Sequence, residues 1–348
     1  MDFNLHLSMN YPGHDYGGAR FFSDLVEQAV LADRLGFRSV SVSEHHLLNV
    51  GLNPAPLMTA VKIAAHTRSI DIITSVAVLT FHDMRTYAGE VIMADIFTDG
   101  RLVLGVGRGG YAYKAERLGV PAAELRARFD ESLAVLRALL AREEVSWDGT
   151  YYKFKPLTVM PRPARPGGPR MMMAVMNPDG IYHCAKQGFN ILTTPLTGDK
   201  AQFRAQVDAF RRAKTELGEA GRDLILQASR AAFVTTSEAH RRAKLEQAQR
   251  HYGQLDNLYS GPGLLDAGIA RSLPRTQTVE ELAENILVCS AAEMVDRLGE
   301  FAECGVDRAS LVLNFGSSQG ETLETIHRIA EDVMPHFTKA ARPVAATA

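Results

Sequence analysis

The chain has 348 residues, 46% of them hydrophobic and 22% charged, and a formal net charge of -2. It is long enough to bury a large core, and its near-neutral balance excludes both the basic surface of a nucleic-acid binder and the acidic excess of a disordered segment. No stretch approaches the roughly 18 apolar residues that cross a bilayer, and the opening MDFNLHLSMNYPGHDY lacks the order of a signal peptide, so a cytoplasmic protein without membrane or nucleic-acid partners is expected.

Short apolar runs alternate with segments of helical period along the whole chain. Phe3–Ser8 reads as a strand, and Phe21–Leu35 as a helix with Phe22, Leu25, Val26, Ala29 and Leu35 on one face. Gly36 ends that helix, because a residue without Cβ turns left-handed there. Arg38–Ser43 predicts strand two and Pro56–His66 its helix. Ile70–Leu79, rich in β-branched residues, predicts strand three. A helix over Thr86–Phe97, a turn at Asp99–Arg101, strand four over Leu102–Val106 and a helix over Glu124–Ala141 follow.

The second half resumes the pattern after an interruption. Trp147–Phe154 predicts a hairpin around Asp148-Gly149, and Pro161–Pro169 a connector. Strand five falls at Arg170–Val175, strand six at Phe189–Leu192, strand seven at Leu224–Val234 and strand eight at Ser310–Phe315. Helices at Asp179–Lys186, Lys200–Leu217 and Glu321–Met334 complete the units. Eight such alternations predict parallel strands with crossover helices. The expected fold is an α/β (β/α)8 TIM barrel over residues 1–340, with insertions after strands four and seven; an open doubly wound sheet is the competitor. Between Thr236 and Ser310 the chain is too long for one helix. It carries a helical run (Ala239–Tyr252), a glycine-rich loop (Tyr259–Gly268) and the segments Val279–Glu284 and Ala291–Glu303. Residues 254–278 are expected to form a lid or an oligomer contact, and residues 341–348 a disordered tail.

In a barrel, chemistry gathers where strands end. After strand two come Glu44, His45 and His46. Strand alternation sends at most one of these imidazoles into the mouth, where it could move a proton near neutral pH. Glu44 could orient a ring, or the pair could be structural. A metal reading needs further ligands, such as His82 and Asp83, and neither HxH nor HExxH is present here. Cys184, Cys289 and Cys304 form no CxxC pair, which fits buried small hydrophobes in a reducing compartment.

Strand four ends LGVGRGGYAYK. Gly105, Gly107 and Gly110 satisfy GxGxxG, but three strands precede them and no dinucleotide unit follows. The glycines either let backbone approach a flat or anionic ligand, with Arg108 supplying a charge suited to phosphate, or form a sharp barrel turn with Arg108 at the surface. After strand five, Met176 precedes Asn177, which can cap the next helix, whose N-terminus can hold an anion. The Gly316–Glu321 loop, GSSQGE, is a second candidate anion site.

Three segments together resemble bacterial luciferase and the luciferase-like flavin monooxygenases: SEHHLLNVGLNPAPL, TSVAVLTFHDMRTYAGEVIMADIFTDGRLVLGVGRGGY and AECGVDRASLVLNF. The resemblance implies a (β/α)8 barrel that binds reduced FMN at the C-terminal ends of its strands and uses dioxygen to oxygenate a small organic substrate through a C4a-peroxyflavin. A separate NAD(P)H:flavin reductase would supply the flavin, and the protein would be a homodimer. By the same resemblance His45 is catalytic, with Glu44 and His46 beside it. A non-prolyl cis peptide falls near Ser75 and Val76 under the flavin. Arg108, Gly109 and Gly110 hold the phosphate with Arg126, and Met176, Asn177 and Gly180 line the end of strand five. No metal is implied. Three departures, Gly107 for a reactive cysteine, Met176 for a glutamate and HDMR without a proline, argue against luminescence and a long-chain aldehyde. A deazaflavin-dependent hydride-transfer enzyme and a non-catalytic flavin-binding barrel are the alternatives, with the EHH sequence favouring FMN.

Overall fold

A computed structural model describes residues 1–196, 198–259 and 261–337. Eight parallel strands follow one another around the sheet: β1 (Asp2–His6), β2 (Ser39–Val42), β3 (Asp71–Thr74), β4 (Leu102–Gly107), β5 (Arg170–Ala174), β6 (Asn190–Thr193), β7 (Leu226–Val234) and β8 (Arg308–Val312). Pairing of β6 with β7 (Gln227 opposite Leu192) and of β8 with β1 (Phe3 opposite Ala309) closes the ring. Closure excludes the doubly wound alternative. Every residue of β2, β3 and β4 is buried, since helices cover the outside and side chains fill the inside, and such strands read as unbroken apolar runs.

The outer helices are α1 (Gly18–Arg34), α2 (Pro56–Ala64), α3 (Met84–Phe97), α4 (Leu125–Ala141), α5 (Pro178–Lys186), α6 (Lys200–Leu217), α7 (Ala291–Cys304) and α8 (Gln319–Arg328). Side chains cap the first turns where a short polar residue precedes the apolar periodicity: Asp83 for α3, Asn177 for α5, Asp199 for α6, Ser290 for α7 and Ser318 for α8. Inside the barrel, Asn4 Nδ2 donates to Ser41 Oγ and Ser310 Oγ, each at 2.8 Å, and accepts from Ser39 Oγ at 2.7 Å. These buried polar atoms are mutually satisfied and bind β1, β2 and β8 together.

The structure departs from the sequence reading in three places that matter for the site. The run expected as one strand over Ile70–Leu79 is broken: β3 stops at Thr74 and Ala77–Val78 then pairs with Val106 and Gly107 of β4, and the Ser75–Val76 peptide between them is cis, where the resemblance placed it. β-Branched residues signal a strand but carry no trace of such a bend. The helix expected to end at Tyr252 runs from Glu238 to Tyr259, because Leu255 and Leu258 keep its apolar side packed. A short strand, Leu287–Cys289, pairs with Ala232–Val234 of β7; three residues leave no periodicity to read.

The insertion after β4 holds a helix, Ala112–Arg117, and a hairpin of Val145–Asp148 and Lys153–Leu157. After β7, residues 261–278 pack against the β2–α2 loop. Asn49 donates its amide to Gly268 O and accepts from the Ala270 amide, and Asn257 Nδ2 donates to Leu264 O and Arg271 O. The tail at 341–348 lies outside the described residues. Among the described residues, no helix is long and apolar enough to cross a membrane.

Candidate active site

The chain leaves β2 through Ser43 into Glu44, which is 1% exposed. An isolated buried carboxylate would be costly; this one is fully engaged. Its Oε1 accepts from His46 Nε2 at 2.8 Å and His82 Nε2 at 2.9 Å, and its Oε2 accepts from the Val78 amide at 2.8 Å. Burial alone would raise its pKa, but the His46 and His82 hydrogen bonds, the charge of His82 and the Val78 amide outweigh that and hold it at about 2. Glu44 thus staples the end of β2 to the segment after the cis peptide. It orients His46 and His82, and makes no hydrogen bond to His45.

His45 is held differently. Its amide and carbonyl pair with those of Asn53, each at 3.2 Å, and its ring lies 4.6 Å from that of Tyr111. The loop turns back at Gly51, where φ is +72° and a Cβ would sit 2.7 Å from His45 Cδ2, so only glycine fits beside the ring. The ring is half-buried, and its Nδ1 is 3.1 Å from Lys114 Nζ. Burial first, then the charges of Lys114, His6 and His46, push the His45 pKa well below the usual imidazole value. His45 is therefore neutral at physiological pH.

The end of β4 meets the same region. Arg108 O accepts from Thr80 Oγ1 at 3.0 Å, and Gly109 adopts φ +83° with no room for a Cβ, which would lie 2.9 Å from Val78 Cγ1. The Arg108 side chain is exposed and, among the described residues, makes no ion pair or hydrogen bond. Tyr259, from the insertion after β7, covers Gly110 and packs on Tyr111 with ring centroids 4.5 Å apart. The ends of β2, β3 and β4 thus bring Glu44, His45, His46, Ser75, Val76, Arg108, Gly109 and Gly110 into one region.

The remaining expected residues are placed less directly. Met173 of β5 pairs with Val106 of β4, so Met176 emerges one strand further round. Met176 is exposed, and its carbonyl accepts from Gln206 Nε2. Asn177 caps α5 through its own Oδ1, which accepts from the amides of Asp179 and Gly180, so these two amides are already engaged. Arg126, exposed on the first turn of α4, pairs with Asp130 at 2.9 Å. In the competing GSSQGE loop three amides are engaged: Gly316 and Ser317 donate theirs to Asn314 Oδ1, and the Ser318 amide goes to Glu321. It borders a cavity of about 480 Å³ lined by Arg20, His251 and Gln254. Those three amides are engaged, whereas the exposed Arg108 side chain makes no ion pair among the described residues, which favours Arg108 as the anion partner.

Two neighbours escaped the sequence reading in these roles. His82, weighed there only as a metal ligand, donates to Glu44 and stacks on Tyr87 at 4.1 Å. Lys114 reaches His45 from the first turn after the glycine-rich end of β4; its position just beyond a strand's C-terminal end was the available signal. Among the described residues no group of three or more His, Cys, Asp or Glu is arranged to hold a metal ion.

A family model for luciferase-like monooxygenases matches residues 1–308. The chain belongs to the luciferase-like monooxygenase family. Among relatives of this luciferase-like monooxygenase is the oxygenase component of the flavin-dependent trigonelline monooxygenase of Acinetobacter baylyi, 24% identical over 97% of this chain and 96% of that one. The F420-dependent glucose-6-phosphate dehydrogenase of Beutenbergia cavernae is 29% identical over 92% of this chain and 95% of its own. A solved monooxygenase of Streptomyces bottropensis superposes with a TM-score of 0.83 at 25% identity, covering 97% of this chain and 100% of that chain. Flavin-dependent and F420-dependent enzymes thus both stand among the relatives, and the fold described above is shared with the solved monooxygenase.

Proposed function

We propose that this luciferase-like monooxygenase is the oxygenating component of a two-component system, taking reduced FMN from a separate NAD(P)H:flavin reductase and oxygenating a small organic substrate with dioxygen. The observation that carries this reading is the convergence of the β2, β3 and β4 ends, with a neutral half-buried imidazole at one side and an unpaired guanidinium at the other. Arg108 fits FMN as a free cation for the phosphate, and Gly109 and Gly110 let the backbone beside it pass close under Val78 and Tyr259. Arg126 and the α5 start (Met176, Asn177, Gly180) are secondary contacts, since Asp130 and the Asn177 cap already engage them. Bound reduced FMN supplies the electrons that activate dioxygen. Ser75 and Val76 would lie beneath its ring, His45 would give or take the substrate proton, and residues 254–278, with Tyr259 over Gly110, would exclude water.

Exposed Met58 on α2 and Met93, Ile96 and Phe97 on α3, between 42% and 74% exposed, form an apolar surface suited to a homodimer. The F420-dependent relative favours a second reading, hydride transfer to or from a deazaflavin. Reaction under ¹⁸O-labelled dioxygen with reduced FMN, trigonelline being the first substrate probed, separates the two. The monooxygenase reading expects one labelled oxygen atom in the product. Unlabelled product formed with F420 and without dioxygen replaces it with the second reading.

A further inference from the structure

Lys114 is almost completely buried, 1% exposed, and its ammonium has few companions. It donates to Glu44 O at 3.2 Å and lies 3.1 Å from His45 Nδ1, with the rings of Tyr111 and Phe81 at 4.9 and 5.8 Å. An ammonium carries donors only. The nitrogen facing it must therefore offer a lone pair, which places the neutral ring's proton on Nε2. A doubly protonated ring would set N–H against N–H and charge against charge. His45 Nε2 has no hydrogen-bond partner among the described residues.

We propose that Lys114 is a positioning residue that fixes His45 in its Nε2–H form and keeps the ring uncharged, so that His45 meets its ligand as a hydrogen-bond donor and gives up its Nε2 proton only as Lys114 Nζ passes one to Nδ1, leaving a neutral imidazole and a neutral amine. The groups facing His45 agree. His6 from β1 and His46 beside it offer no negative charge, Tyr111 presents a ring, and the carboxylate of Glu44 is turned to His46 and His82. Burial lowers the Lys114 pKa to about 8 against the opposing pull of Glu44, so the ammonium persists at neutral pH. A donor at this position selects ligands that bring an acceptor oxygen or ring nitrogen to it. The acid role rests on the proposed function; the tautomer does not.

Long-range ¹H–¹⁵N correlation on the full chain labelled at histidine reads both ring nitrogens of each His, with His45→Gln giving the assignment. In the wild type, His45 is expected to show a protonated Nε2 and a bare Nδ1 from pH 6 to 8, without titrating. Lys114→Met, which keeps the stem and removes the donor, should yield mixed tautomers and a ring that titrates toward the usual pH range, and Lys114→Arg should restore Nε2–H. A wild-type ring protonated at Nδ1, or one that titrates near pH 6.5, overturns the proposal without need of a variant. An unchanged ring in folded Lys114→Met overturns it as well. A tautomer that shifts while the pH–rate profile stays fixed upholds Lys114's hold on the ring and overturns the acid role of His45.

Discussion

Replacing His45 by alanine is expected to leave reduced-FMN binding nearly intact while slowing product formation by roughly 10²-fold or more, the usual range for a group that moves a proton. The separation follows from geometry. His45 takes no part in the Glu44–His46–His82 network that holds β2 against the chain after β3, and the phosphate cation proposed, Arg108, lies just past the end of β4. Loss of the ring removes one acceptor from Lys114, which keeps Glu44 O. Single-turnover measurements, with flavin loading and product formation followed separately, check this. Unchanged product formation would remove His45 from the chemistry, and a parallel loss of flavin binding would make it a structural residue.

Glu44→Gln is expected to show its largest effect in stability. The carboxyl pKa falls from 4.5 to about 2 on folding, so its ionised form favours the native state. A shift of that size corresponds to about 3 kcal/mol. The sign is that of a depressed acid: the contribution is fully present above the unfolded pKa near 4.5 and is lost as pH falls through about 2. A glutamine amide also sets N–H against one of the donors from His46, His82 or Val78. Denaturant unfolding of the variant at pH 7 should therefore show a deficit of about 3 kcal/mol relative to wild type, within the range for losing one partner of a buried network. The deficit should narrow as pH drops below 4. A difference that is small at pH 7, or constant with pH, contradicts the account of Glu44 as an ionised staple.

Much of the fold was legible because parallel barrel strands are buried on both faces and announce themselves as short apolar runs. The runs around Ser39–Val42, Leu102–Gly107 and Asn190–Thr193 were readable in this way, and the caps at Asn177, Ser290 and Ser318 sit at recognisable polar residues. The strand-end rule also placed Glu44, His45 and Arg108 just past the C-terminal ends of β2 and β4, where the structure has them. What the sequence could not convey is which side chain grips which. Alternation put at most one of His45 and His46 in the mouth; in the structure both are half-buried and differ instead in their partners. His46 is tied to Glu44 across two residues, while His45 pairs with Lys114 across sixty-nine. Contacts across that span come from closing β2 beside β3 and β4, and no local pattern encodes them. The polar layer of Asn4, Ser39, Ser41 and Ser310 was hidden for the same reason: each is an isolated small residue until the barrel brings them together.

In the proposed function the ends of β2, β3 and β4 form one flavin site, with Arg108 on the phosphate. Anaerobic titration of wild-type protein and Arg108→Ala with reduced FMN and reduced riboflavin, followed by flavin absorbance, tests it most directly. The substitution is expected to weaken FMN binding by tenfold or more, about the 1.4 kcal/mol or more expected of a charged phosphate contact, and to leave riboflavin binding little changed. Equal losses for both flavins, or wild-type protein that binds neither, would contradict it.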